Sequence, residues 1–223
     1  MSSSPGLEIR RLHLASLQVG EAEWPVHGFV VMHPKGAILI DTGVGGPDRV
    51  LTDWRVVNRT AAEALGDHDL VPGDIAFVIN THLHFDHCGQ NAVFKHAPFY
   101  VQRVELDRAR RDARWLTDWF DFAGARFELL DGDAEVLPGV RVIATPGHTI
   151  GHQSVMIEGD GEEILIGDAA YTPALYSDPD AEAEALPPGQ AADHGAWSSS
   201  LHRIHAARPR HVHFCHHTRV VHS

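Results

Sequence analysis

Several features are scarce in this 223-residue chain, and each shortage excludes a class of protein. There are only two cysteines, too few for the disulfide framework of small secreted domains. The formal net charge is -12, which disfavours nucleic acid as a partner because a polyanion requires a basic surface. No apolar run approaches the roughly 20 residues of a membrane helix, and the first residues lack the apolar core of a secretion signal. We therefore expect a cytoplasmic protein with neither a nucleic-acid nor a membrane partner.

Length and composition predict an ordinary globular protein. Hydrophobic residues make up 43% of the chain and charged residues 22%, as in typical folded domains. A chain of this length suits one domain, which we expect to span residues 1–223. The sequence gives no indication of the oligomeric state.

The spacing of apolar residues predicts two groups of strands with helices between and after them. Strands are predicted at 7–17, 26–32, 37–43, 76–80 and 99–102, and again at 126–130, 140–147, 154–159, 162–169 and 211–217. Helices are predicted at 59–70, 103–120 and 197–208, a turn at Asp160 and Gly161, and a mobile loop or lid at 177–193. Regular βα alternation is missing, which favours an α+β or layered sandwich fold over a doubly wound sheet.

Histidine is what the chain has in excess, and the densest group lies in THLHFDHCGQN, residues 81–91. In an extended segment His82, His84 and Asp86 point to one side, as the ligands of a chelate would. His87 breaks this alternation, but Gly89 permits a turn that could direct it toward a second ion. The spacing therefore predicts a metal site and suits two ions better than one.

Further ligands are predicted at the ends of other strands. His148 lies in TPGHTIGH after an apolar run, and Asp168 ends the run ILIGD on the same side as Ile164 and Ile166. A bound ion is a good reason to bury a carboxylate. In HVHFCHH the same parity argument leads to His216, with His217 as the alternative.

These motifs, in this order, resemble the metallo-β-lactamase superfamily, whose Asp-Thr-Gly turn is also similar to ILIDTG in this sequence. The resemblance implies an αβ/βα sandwich, in which two mixed β-sheets flanked by helices hold the metals at one edge. The phrases HLHFDHCGQNAVF, VQRVEL, TPGHTIGHQS and DAAYT are most similar to N-acyl homoserine lactone lactonases.

The resemblance also implies a role for each site residue. His82, His84 and His148 would hold one zinc, Asp86, His87 and His216 the other, and Asp168 would bridge the two. Tyr171 would contact the substrate carbonyl, and His27 stands where such lactonases have an aromatic residue at the substrate wall.

The implied reaction is the opening of a lactone ring, most simply of an N-acyl homoserine lactone, by a hydroxide that bridges two divalent metal ions. Tyr171 would hydrogen-bond the oxyanion, and either Asp168 or Asp86 would pass a proton to the leaving alkoxide. Two alternatives stay open. A related enzyme could act on another small lactone, ester or thioester, or the chain could be a metal-binding module without turnover.

Overall fold

Two mixed β-sheets lie face to face in this protein, and helices cover both outer faces. The computed structural model describes residues 7–111, 117–159 and 161–222. The strands are β1 Glu8–Val19, β2 Ala22–Met32, β3 Ala37–Ile40, β4 Val57–Asn58, β5 Ile75–Ile79, β6 Phe99–Gln102, β7 Phe127–Leu130, β8 Ala134–Leu137, β9 Val140–Ala144, β10 Gln153–Gly159, β11 Gly161–Leu165, β12 His211–His213 and β13 Val221–His222. The helices are α1 Asp48–Asp53, α2 Ala61–Gly66, α3 Phe85–Cys88, α4 Arg103–Arg111, α5 Pro173–Tyr176 and α6 His194–Ala207. Short 3-10 turns occur at Pro72–Asp74, Asn91–Phe94, Thr117–Trp119, Gly167–Ala169 and Ala183–Ala185.

Each sheet combines parallel and antiparallel pairs. The first has the order β4-β1-β2-β3-β5-β6-β7, antiparallel from β4 to β3 and parallel from β3 to β7. The second has the order β13-β12-β11-β10-β9-β8, and only the β11–β12 pair is parallel.

Alternating side chains on the strands build three apolar layers. Ile38 and Ile40 of β3 pack between the two sheets against Val155 and Ile157 of β10. The residue between the first two, Leu39, packs under the helices that cover the first sheet. Met156 likewise packs in the layer that contains Leu201 and Ile204 of α6. Strands buried on both faces explain why the sequence has continuous apolar runs, and the predicted α+β sandwich is confirmed.

The predicted boundaries differ from the structure in several places. β2 begins at Ala22 rather than residue 26, because residues 22–25 pair with β1 in a hairpin. The predicted strands 162–169 and 211–217 end earlier, at Leu165 and His213. The helix predicted at 103–120 ends at Arg111, and residues 112–116, like Asp160 of the predicted turn, lie outside the described residues.

Within the described ranges, no helix combines the length and apolarity needed to cross a bilayer.

Candidate metal centre

The loop after β5 carries four of the predicted ligands, and Asp41 anchors it. Asp41 follows β3 in a left-handed conformation with φ of 57°. Its carboxylate accepts hydrogen bonds from the Thr81 backbone N–H and hydroxyl, both at 2.8 Å. It also lies 2.8 Å from Nδ1 of His87. The left-handed backbone at Asp41 thus serves to aim one carboxylate at the ligand loop.

Helix α3 begins directly after His84, so the segment does not stay extended. The side chains that an extended segment would direct to one side are therefore separated. The backbone N–H groups of His87 and Cys88 both donate to the His84 carbonyl and close the first turn. Asp86 therefore does not join His82 and His84, as the parity argument predicted, but lies with His87. Gly89 serves close approach rather than a left-handed turn, since a Cβ there would lie 1.9 Å from the Gly45 backbone nitrogen.

Three imidazoles converge in a first ligand group, composed of His82, His84 and His148. Nε2 of His148 lies 3.2 Å from Nε2 of His82 and 3.0 Å from Nδ1 of His84. Burial lowers the pKa of His82 well below its usual value and the pKa of His84 and His148 to about 4. Neutral rings present lone pairs, so this group is a set of nitrogen donors for a cation.

Asp86, His87 and His216 form the second ligand group. Oδ2 of Asp86 lies 3.6 Å from Nε2 of His216 and 3.8 Å from Nε2 of His87. Burial alone would lower the pKa of His87, but the carboxylates of Asp168, Asp86 and Asp41 outweigh it and raise that pKa well above the usual value. The carboxylates around the second group therefore favour a positive charge at this position.

Asp168 lies between the two groups. Its Oδ2 is 3.4 Å from Nε2 of His148 and 3.3 Å from Nε2 of His87, while its Oδ1 is 3.3 Å from Nε2 of His216. Although burial opposes it, the positive charges of His87 and His216 lower the pKa of Asp168 well below its usual value. Asp168 is thus an ionised carboxylate within reach of both groups.

Two atoms at this centre show that the residues fit metal ions. Among the described residues, Nε2 of His87 and Oδ1 of Asp168 are buried and have ionic contacts at 3.3 Å but no hydrogen bond of good geometry. Buried polar atoms without such a bond are rare and require explanation. Imidazole and carboxylate donors in two groups around a shared carboxylate match the preferences of divalent zinc, so the centre fits two such ions.

Second contacts fix the orientation of four ligand imidazoles. The second ring nitrogen of His82 faces Thr81 Oγ1, and that of His87 faces the Asp41 carboxylate. The second ring nitrogen of His148 faces the Gln190 carbonyl, and that of His216 faces the Pro25 carbonyl. Such contacts set the tautomer and direction of a ligand histidine. His217 is directed away, and its ring accepts a hydrogen bond from the Arg219 backbone.

The two cysteines beside the ligands are neutral thiols. Burial raises the pKa of Cys88 well above its usual value and that of Cys215 to about 12. Sγ of Cys88 donates to the His84 carbonyl. Both side chains are buried beside the centre, and the Cys215 sulfur lies close to Asp41 and His87.

A pocket opens onto both ligand groups and has largely apolar walls. Tyr171 lies at its base, with its hydroxyl 3.5 Å from Nδ1 of His148, and burial keeps its pKa well above the usual range. Trp24 packs against it at a ring separation of 5.2 Å. Besides Tyr171 and Trp24, the described residues that line the pocket are Leu17, Val19, Trp54, His84, Phe85, Asp86, His148, Asp168, Pro188, Gly189 and His216.

The structure does not bring His27 to this pocket. His27 is only 5% exposed, and it is absent from the described residues of the lining. It lies on β2 beside His13, 5.7 Å away between ring centres. On the same strand, Trp24 does line the pocket, so a substrate contact from His27 has no support in this geometry.

The segment predicted as a mobile loop or lid packs on the centre through its final residues. The Gln190 side chain accepts a hydrogen bond from the Tyr171 backbone at 3.0 Å and donates to the Asp168 carbonyl at 2.8 Å. Pro188 and Gly189 line the pocket. The segment is therefore one wall of the pocket, and Gln190 joins it to Asp168 and Tyr171.

Comparison with known proteins places this centre in a family. The sequence profile of the metallo-beta-lactamase superfamily matches residues 23–216. This chain belongs to the metallo-beta-lactamase superfamily. An N-acyl homoserine lactonase of Bacillus sp is 34% identical over 176 residues, which cover 71% of this chain and 69% of the relative. The N-acyl homoserine lactonase AiiA of Bacillus thuringiensis subsp. kurstaki is 32% identical over 171 residues, 69% of this chain and 67% of the relative.

Solved structures of lactone hydrolases also match the fold of this chain. An N-acyl homoserine lactone hydrolase with the product N-hexanoyl-L-homoserine at its catalytic metal centre matches with a TM-score of 0.78 and 25% identity. That match covers 96% of this chain and 94% of the other. A quorum-quenching N-acyl homoserine lactone lactonase matches with a TM-score of 0.80 and 26% identity over 96% and 94% of the two chains.

Proposed function

We propose that this protein is a two-metal hydrolase that opens the ring of N-acyl homoserine lactones. The observation that carries the proposal is the arrangement of two ligand groups around Asp168 at the base of an apolar pocket. The lactonase relatives support the choice of substrate, since they exceed 30% identity over two thirds of this chain. We infer that His82, His84 and His148 hold one ion, that Asp86, His87 and His216 hold the other, and that Asp168 is shared.

The native ions are proposed to be zinc. Bound divalent zinc supplies a water activated near neutral pH and polarises a carbonyl group. Both cysteines are free, as suits a reducing compartment, and we propose a cytoplasmic location.

Tyr171 is the residue proposed to stabilise charge on the substrate. Because its pKa is raised by burial, its hydroxyl stays protonated and can donate a hydrogen bond to the oxygen that becomes negative when the ring carbonyl is attacked. The hydroxyl sits beside His148, at the first ligand group. This position suits a carbonyl that approaches the metals from the pocket.

Asp86 and Asp168 are the carboxylates proposed to handle the proton that the leaving alkoxide requires. Both line the pocket. Asp168 makes close contacts with imidazoles of both groups, whereas the contacts of Asp86 lie within the second group at 3.6–3.8 Å. Either carboxylate lies at the pocket, and the proton is proposed to pass through Asp168 or Asp86.

The apolar walls of the pocket are proposed to bind the acyl chain of the substrate. Leu17, Val19 and Trp24 come from the β1–β2 hairpin, while Trp54 and Phe85 face each other at 5.7 Å between ring centres. Burial of a hydrocarbon chain against such walls contributes about 0.8 kcal/mol per methylene. An acyl homoserine lactone places a polar ring at the metals and an apolar tail along these side chains.

A direct assay tests the proposal. The zinc-loaded protein should hydrolyse N-hexanoyl homoserine lactone faster than simple lactones, aryl esters or thioesters, and the His84→Ala variant should lose this activity by at least 100-fold. His33→Ala, at a half-buried histidine just after β2 and outside the described pocket lining, is the matched control and should retain it. Absence of turnover in the zinc-loaded protein, or full turnover in His84→Ala, would refute the proposal, and faster thioester or aryl ester hydrolysis would reassign the substrate.

A further inference from the structure

The first ligand group is assembled from two separate loops, one after β5 and one after β9. His82 and His84 flank Leu83 in the first loop, and His148 precedes Gly151 in the second. Their ring nitrogens must stay about 3 Å apart to share an ion. The distance between the two loops therefore determines whether the three ring nitrogens can share an ion.

Glu105, in the first turn of α4, contacts both loops with one carboxylate. Its Oε1 accepts a hydrogen bond from the Leu83 backbone N–H at 3.0 Å. Its Oε2 accepts one from the Gly151 backbone N–H, also at 3.0 Å. Glu105 is only 4% exposed and lies outside the pocket, so it touches neither substrate nor the ligand atoms.

We propose that Glu105 is a positioning residue that sets the spacing between the two loops and thereby the affinity of the first ligand group for its metal ion. The inference deepens the proposed two-metal function and rests on it. It makes Glu105, which has no contact with the ion, a determinant of how tightly His82, His84 and His148 hold it.

Only a carboxylate of this length can accept the backbone N–H groups of both loops at the same time. Each oxygen takes one N–H donor, whereas the amide of glutamine would turn an NH2 group toward one of the two donors and leave that backbone N–H without a partner. Aspartate keeps both oxygens but is shorter by one methylene. The fit is tight on the other side as well, because a Cβ on Gly151 would lie 2.4 Å from Cβ of Glu105.

The experiment compares zinc binding by the wild-type protein, Glu105→Gln and Asp107→Asn, using competition with a chromophoric chelator and the absorption of the cobalt(II)-substituted protein. Asp107 is an exposed carboxylate on the same helix, so its substitution controls for loss of one negative charge. In Glu105→Gln, one of the two ions should bind about 10- to 100-fold more weakly, with an altered cobalt spectrum. Asp107→Asn should bind both ions as the wild type does.

Thermal unfolding with and without zinc separates positioning from a purely structural role. If Glu105 positions ligands, the rise in Tm that zinc produces should shrink in Glu105→Gln. If Glu105 only supports the fold, the Tm of the metal-free protein should fall and the rise produced by zinc should be unchanged, and that result overturns the proposal. Wild-type affinity for both ions in Glu105→Gln overturns it as well.

Glu105→Asp is the second variant if Glu105→Gln does not fold. It retains the charge and should show the same selective weakening of one ion, and wild-type binding in this variant refutes the inference. Zinc binding needs no lactone, so the failure of the proposed activity would be visible separately, as a wild-type protein that binds two ions and hydrolyses no lactone.

Discussion

The proposed role of the Tyr171 hydroxyl can be tested with a single substitution. Removal of its hydroxyl in Tyr171→Phe leaves the ring between Trp24 and His148 but deletes the donor at the carbonyl. The expected result is a fall in kcat on the order of 100-fold, a smaller change in KM and an unchanged zinc content. Tyr176→Phe is the control, because Tyr176 stacks on His205 away from the pocket. Equal rates in Tyr171→Phe and the wild type would remove Tyr171 from the mechanism.

His27 makes a prediction about stability rather than catalysis. Burial, and next the charge of Arg11, lower its pKa in the folded protein to about 4, against about 6.5 in an unfolded chain. Between pH 6.5 and 4 the unfolded chain binds a proton that the folded protein does not, so the free energy of unfolding falls as the pH falls. Above pH 6.5 His27 is neutral in both states and makes no difference to this slope.

His27→Leu should therefore weaken the pH dependence of the free energy of unfolding between pH 6.5 and 4. Urea titrations of the metal-free protein at several pH values measure this, and the metal-free form avoids proton competition with zinc. His202→Leu, at an exposed histidine, should leave the slope as it is. A slope in His27→Leu identical to that of the wild type would contradict the low pKa of the buried ring.

The candidate ligands that the structure brings together could be named from sequence because they lie in short local motifs, whereas the contacts that orient them depend on the fold. His82, His84 and His87 lie within one stretch of sequence. Asp41, Glu105 and Gln190 act on that stretch or its partners only through folding, and each is a common polar residue in an ordinary context. ILIDTG contains Asp41 and VQRVEL contains Glu105, so the resemblance marks both segments without assigning either residue a role, whereas no quoted motif contains Gln190.

The β1–β2 hairpin forms one wall of the pocket. It places Leu17 and Trp24 directly opposite each other on adjacent strands, and both line the pocket. The pattern of the sequence missed this part of β2 because Pro25 interrupts it. Proline is tolerated there because β3 pairs with β2 only at residues 29–31, so no ladder bond toward β3 requires an N–H at residue 25, and the Pro25 carbonyl accepts a hydrogen bond from His216.

Trp24→Ala tests the hairpin as a specificity element. Loss of apolar surface should weaken binding of long acyl chains more than short ones. The ratio of kcat/KM for N-decanoyl over N-hexanoyl homoserine lactone should fall by roughly tenfold, which corresponds to about 1.4 kcal/mol. Trp24→Phe preserves an aromatic wall and should keep most of the preference. An unchanged ratio in Trp24→Ala would place the acyl chain elsewhere.

At the scale of the whole molecule, the metal centre joins the two sheets. Four of the proposed ligands follow β5 in the first sheet, and the others follow β9, β11 and β12 in the second. A sequence can indicate that each ligand ends a strand, but it cannot show which strand ends meet, because that depends on the packing of Ile38, Ile40 and their partners between the sheets. Metal ions that bind only this assembled arrangement stabilise the folded state.

Removal of the ions should therefore lower the stability of the entire fold. At a free zinc concentration 100 times the Kd, each ion contributes about 2.7 kcal/mol, equivalent to a rise in Tm of about 5–10 °C for a chain of this size. Scanning calorimetry of the zinc-loaded protein before and after EDTA measures the difference. Asp168→Asn, which alters the shared ligand, should lose most of it, while Asp178→Asn, at an exposed acid in the 177–193 segment, should keep it. If EDTA strips two ions and the Tm does not move, the centre does not hold the sheets together, and the ions bind the unfolded chain as tightly as the folded one.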